Sequence, residues 1–128
     1  MQAKFRQILW ILCGALFGYG IATAQFSALD PARVAPHIFE NLLENEHLRV
    51  LKVTERNGET APLHSHPERL MVYLSPCAWM DEAADGTMFM QSFRLGDAAW
   101  VDALTHGGKT SRVVQDCSRL EIELKSIP

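Results

Sequence analysis

After residue 45 the chain never holds one apolar rhythm for long. Turn residues cut it at Asn57-Gly58, Ser75-Pro76, Ala84-Asp85-Gly86, Gly96-Asp97 and Asp116. Between the cuts lie short runs rich in Val, Leu and Phe: HLRVLKVTE, ERLMVYL, TMFMQSFRL, AAWV, SRVV and RLEIEL. Each run ends before an apolar stripe at i, i+3, i+4 and i+7 can develop over three helical turns. Short strands closely spaced between turn signals predict an all-β sandwich or barrel. The 128 residues suffice for one such domain and not for two.

Strand parity then predicts an inside. In RLEIELK, Leu120, Ile122 and Leu124 share one face and Glu121 and Glu123 the other. In MFMQSFRL, Phe89, Phe93 and Leu95 fall together, opposite Ser92 and Arg94. Leu70, Val72 and Leu74 have the parity of His64 and His66, so all five are expected to face inward if no bulge intervenes near Pro67. Met71 and Tyr73 would then face outward and need a cover, either the N-terminal segment or a second subunit.

The N-terminus is of another character. MQAKFRQ carries Lys4 and Arg6, an apolar stretch follows, and Ala22 and Ala24 precede Gln25 at the spacing of a cleavage site. Residues 1–24 are expected to be a secretory signal peptide, which gives a periplasmic or secreted location; an uncleaved anchor is the alternative. Residues 25–36, with Pro31 and Pro36, are expected to be an extended lead-in or a short turn, and 37–128 the barrel domain. The mature chain of 104 residues keeps 10 basic and 15 acidic residues, a net charge of −5. An acidic surface without a basic cluster argues against nucleic acid and against stable membrane association once the leader is gone. Cys77 and Cys117 form an even pair in an oxidising compartment, so they are either a disulfide or two inert thiols.

Two histidines one residue apart, His64 and His66 in GETAPLHSH, project to the same side of a strand, a spacing that suits a shared ligand. His37 and His47 have acidic and polar neighbours and are expected at the surface. Trp79, Met80, Met88 and Met90 form a second apolar group; thioethers bind Cu(I), but they more often fill gaps in packing. No Gly-x-Ser-x-Gly elbow, Cys-x-x-Cys pair or phosphate loop is present.

GETAPLHSH resembles the first motif of the cupins, and GDAAWVDALTHGGK resembles the second, with Gly96 opening it and His106 in its histidine position. NEHLRVLKV and SRLEIELK look like the flanking strands, so the resemblance covers His37 to Lys125. It implies a jelly-roll β-barrel of two packed antiparallel sheets, a double-stranded β-helix. It also implies a divalent transition metal (Fe, Zn, Cu, Ni or Mn) held by His64, His66 and His106. The family's usual Glu falls on Leu70 or Met71, leaving Glu68 as the stand-in, either as ligand or as general base. Second-motif Pro and Gly positions are occupied by Asp102 and Leu104, and Lys109 replaces the Asn that often follows the last His. The implied function is a metal-dependent enzyme of oxygenase or isomerase type on a small organic substrate. The alternative is a non-catalytic small-molecule or sugar-binding module without essential metal. A homodimer is expected, through a sheet edge or the Met71/Tyr73 face.

Overall fold

The computed structural model describes residues 28–125. The signal peptide expected over 1–24 lies outside them. Ten strands follow a helical turn, α1 (Pro31–Val34): β1 (Phe39–Glu44), β2 (Leu48–Glu55), β3 (His64–His66), β4 (Arg69–Tyr73), β5 (Cys77–Glu82), β6 (Met88–Phe93), β7 (Ala98–Val101), β8 (Leu104–His106), β9 (Ser111–Gln115) and β10 (Cys117–Leu124). All pairings are antiparallel. A five-stranded sheet runs β1-β2-β10-β4-β7, a three-stranded sheet runs β6-β5-β9, and β3 pairs with β8 alone. This is the all-β barrel that the turn spacing predicts, with the jelly-roll form that the cupin resemblance implies. The lead-in takes its short-turn form: Pro31 starts α1, and Ala35, Ile38 and Phe39 pack on Leu51, Val53 and Ala61. No helix among the described residues is long and apolar enough to cross a membrane.

The faces are the reverse of the expected ones. In β10 it is Cys117, Arg119, Glu121 and Glu123 that are buried, while Leu120 and Ile122 are half-buried and Leu124 is exposed. In β4, Arg69 and Tyr73 are buried and Leu70 is exposed, so Met71 and Tyr73 point into the barrel. In β4 the condition at Pro67 decides this. Proline cannot donate to a ladder, and Pro67 and Glu68 lie between the end of β3 and the start of β4. That break shifts parity by one residue, which moves every later side chain of β4 to the opposite face. The histidines stay inside, but their inward companions are Arg69, Met71 and Tyr73. Leu95 likewise leaves the phenylalanine face. β6 ends at Phe93, and Leu95 sits 67% exposed in the turn closed by the Asp97 carboxylate, which accepts from the Arg94 N–H at 2.7 Å.

Of the two alternatives for Cys77 and Cys117, the structure has the disulfide. Cys77 of β5 and Cys117 of β10 are bridged, joining the three-stranded sheet to the five-stranded one across 40 residues of sequence. By loop closure such a bridge contributes about 3–4 kcal/mol. Beside it Tyr73 stacks on Phe93 with ring centroids 4.3 Å apart, and Trp79 packs edge-on to Phe93 at 6.2 Å. Outside, register lines Leu43, Val50, Ile122, Leu70 and Trp100 into one apolar row across all five strands of the large sheet.

Candidate metal centre

The two motifs meet because β3 and β8 pair with His64 directly opposite His106. The rings of His64 and His106 lie 4.4 Å apart, those of His64 and His66 4.8 Å, and those of His66 and His106 5.5 Å. One ring nitrogen from each of the three falls within 4.8 Å of the others. His64 and His66 are buried and His106 is half-buried. Phe39 of β1 closes the cluster from one side, 4.9 Å from the His64 ring.

Outer partners fix which nitrogen is free. His64 Nδ1–H donates to the Pro62 carbonyl at 2.6 Å. His66 Nδ1–H donates to the Glu123 carboxylate, also at 2.6 Å, with Glu121 3.3 Å away. In both rings the proton sits on Nδ1, so Nε2 keeps its lone pair. The Nε2 atoms of all three histidines are buried and have no hydrogen-bond partner. Burial, then the neighbouring rings and Arg69, pushes the His106 pKa down to about 3. Burial lowers that of His64 as well. Three buried imidazole nitrogens without a hydrogen-bond partner fit a transition metal, and the carboxylate behind His66 is the outer-shell partner such ligands use.

Behind the histidines, charge fills positions where a core usually holds hydrocarbon. Arg119 donates through Nε to Glu121 at 2.8 Å, pairs through Nη1 with Glu55, and lies 5.0 Å over the Trp79 ring. Arg49 bridges Glu123, at 2.6 Å, and Asp30, at 2.5 Å. Arg69 Nε lies 2.9 Å from Glu121 Oε2, out of line for a hydrogen bond. Burial alone raises the pKa of Glu121, but Arg119, by its charge and its hydrogen bond, together with the charge of Arg69, outweighs it and brings the group down to about 2.

A cavity of about 310 Å³ opens beside the cluster. His64, His106, Arg69, Met71, Tyr73 and Trp79 are among its walls. No family model matches the chain, and no curated protein does. Solved structures do. A cupin domain from Bordetella pertussis Tohama I is 17% identical, with a TM-score of 0.54 over 70% of this chain and 93% of that one. A cupin superfamily protein from Desulfitobacterium hafniense DCB-2 is 13% identical, with a TM-score of 0.51 over 70% of this chain and 77% of that one. The fold is that of a cupin.

Within this cupin barrel the three histidines of the two motifs come together. Glu68 does not join them. It is exposed at the bend between β3 and β4, where its carbonyl accepts from Leu124 N–H at 3.1 Å. The break at Pro67 that turned Arg69 inward turned Glu68 out. Of the two positions matching the cupin glutamate, Leu70 faces solvent and Met71 faces the cavity, so a thioether stands on the inner wall. The buried carboxylates near the histidines are Glu121 and Glu123 from β10, both grouped with His66. Sequence reading assigned that pair to the outer face; their alternation with Leu120 and Ile122 is equally consistent with either side. His37 and His47 are at the surface as expected, their side chains 67% and 65% exposed. Met88 and Met90 are exposed on the outside of the small sheet, away from the cavity.

Proposed function

We propose that this chain is an exported, metal-dependent cupin that acts on a small organic substrate, by oxygenase or isomerase chemistry. The observation that carries it is the convergence of three unpartnered, buried Nε2 atoms beside the cavity, whose wall His64 and His106 help to form. His64, His66 and His106 would hold the ion, and a bound transition metal supplies Lewis acidity, with open positions for substrate. The protein's own residues do the rest. Pro62 and Glu123 orient the rings, Phe39 shields them, and Met71, Phe93 and Trp79 give the cavity apolar walls that exclude water. The Cys77–Cys117 bridge supports an oxidising, exported location. Fe, Zn, Cu, Ni and Mn are all compatible with the imidazole donors.

The test is metal content. The chain without residues 1–24 and without a histidine tag, loaded with zinc and desalted, should carry about one ion per molecule. His64→Ala and His106→Ala should each lose it while circular dichroism still reports the β fold. Wild-type protein that retains no metal after loading, with stability indifferent to both substitutions, would instead favour a binding module without essential metal.

The homodimer belongs to this proposal, moved to another surface. The Met71/Tyr73 face is interior, so the row through Ile122, Leu70 and Trp100 is where a second copy would dock. A two-fold axis through that sheet pairs the same row with itself. Light scattering should report a dimer for the wild-type chain and a monomer for Leu70→Lys/Trp100→Lys. A monomeric wild-type chain would sink the idea.

A further inference from the structure

The lead-in closes the back of the metal centre, away from the cavity. His64 and His106 line the cavity, whereas His66, 0% exposed, does not. β3 is three residues long and pairs on one edge only, with β8. On its other edge the N–H of Ser65, between the two ligand residues, donates to the Leu29 carbonyl at 2.8 Å. Pro31 is buried, Ala35 belongs to the apolar cluster that contains Phe39, and Ala32 and Val34 pack against it. A main-chain bond and an apolar patch thus fasten this segment to the ligand strand.

A side-chain relay fastens it again. Asp30 stands at the N-cap of α1, where an aspartate ordinarily accepts from the first free N–H groups of the helix. Its carboxylate makes no such bond and takes Arg49 Nη1 instead, at 2.5 Å. Nε and Nη2 of the same guanidinium hold Glu123 Oε2 at 2.7 and 2.6 Å. Glu123 Oε1 then accepts from His66 Nδ1–H at 2.6 Å. A partly exposed acid is linked in this way, through two side chains, to a fully enclosed metal ligand. The guanidinium is planar and rigid, so an acid on one edge sets the direction of the donors on the other. Without Asp30 it is held by Glu123 alone, and the carboxylate that aims the His66 ring loses its fixed support.

We infer that residues 28–35 are a latch across the back of the metal centre, and that Asp30 is a positioning residue acting on His66 through Arg49 and Glu123. Asp30 touches neither ion nor substrate. The docked segment keeps His66 Nε2 aimed at the ion, and a loosened one frees that ligand. Metal affinity and docking of the segment are consequently coupled, each strengthening the other. The inference rests on the metal reading above, because the relay ends on a metal ligand.

The test measures zinc affinity, by competition with a chelator, in the wild type, Asp30→Asn, Glu123→Gln and the double variant. Glu123→Gln removes the outer-shell carboxylate and should weaken zinc about 10- to 100-fold. Asp30→Asn keeps the shape and removes the charge; acting two side chains further out, it should weaken zinc by about threefold to tenfold. In the double variant the loss should match that of Glu123→Gln alone, because a relay cut at Glu123 no longer carries a change made at Asp30. Cobalt-loaded Asp30→Asn should show a shifted visible ligand-field band, which a purely structural role leaves in place. Asp30→Glu should restore part of both the band and the affinity, and this rescue decides the matter if Glu123→Gln does not fold. An unchanged zinc affinity and cobalt band in Asp30→Asn would overturn this inference and leave the metal site standing. An Asp30→Asn loss of the same size with Glu123 and with Gln at that position would overturn it too, by placing the effect outside the relay. Wild-type protein that takes up no zinc would overturn both readings.

Discussion

Arg119→Met is expected to lower the unfolding free energy by about 3–5 kcal/mol at pH 7, read from urea denaturation. The residue is fully enclosed and serves two carboxylates at once, Glu55 and Glu121. Taking it out leaves Glu121 with the poorly aligned Arg69 and the His66 ring 3.3 Å away, and leaves Glu55 with the Trp79 Nε1–H, 3.2 Å away. Methionine matches the length of the stem, so a cavity is not the cause of the loss.

The pH dependence separates charge from packing. In the wild type, burial pulls the Glu121 pKa up, but Arg119 and Arg69 hold it down at about 2, below its ordinary value of 4.5. A depressed carboxyl contributes stability that is present above 4.5 and is lost as pH falls toward 2. Without Arg119, burial dominates and the folded carboxyl titrates above 4.5, so its contribution changes sign and stability falls as pH rises. The gap between wild type and Arg119→Met should therefore be wide at pH 7 and smaller at pH 4, closing only toward pH 2. A gap of the same size at both values would mean that lost packing, not an orphaned charge, causes the effect.

Gly107→Ala should be nearly as costly, about 2–5 kcal/mol from backbone strain and overpacking together, and it should disable the metal site as well. Gly107 has φ +102° and ψ −164°, a conformation that essentially only glycine adopts. A Cβ there would lie 2.5 Å from the Pro62 carbonyl oxygen, 2.9 Å from that of Ala61 and 3.1 Å from His64 Nδ1. Two of these three atoms are backbone and cannot swing aside. Pro62 O is also the acceptor that orients His64, so relieving the clash moves a ligand ring. Zinc affinity should drop about 10- to 100-fold, the usual effect of disturbing an outer-shell partner. Gly58→Ala is the control, because Gly58 also has a positive φ, +83°, but nothing within 4 Å. Equal zinc affinity in the two variants would show that strain alone, without displacement of His64, accounts for the loss.

Legibility differed sharply between kinds of feature. Turn residues marked the strands because Gly, Pro, Asn and Asp act locally, on their own backbone. β2, β4, β6, β7, β9 and β10 all fall on runs visible in the chain. The histidines were legible for a related reason, since His-x-His fixes two side chains on one face whatever the rest of the barrel does. Inward and outward were not legible. Leu120, Ile122 and Leu124 alternate with Arg119, Glu121 and Glu123, and hydrophobicity alone sent the leucines inside. The barrel instead uses its interior for a charged network and leaves an apolar row outside.

By itself, then, the sequence determined where most of the strands lie, that two histidines share a face, and that two cysteines were available to pair. Only the tertiary structure decided that His106 lies opposite His64, that Cys77 reaches Cys117, and which side of each strand is buried. The physical reason is one of range. Turn and rotamer preferences are settled within a few residues, whereas burial depends on what a strand packs against. A single interruption at Pro67 was enough to reverse a face, bringing Arg69 to the cavity and sending Glu68 into solvent.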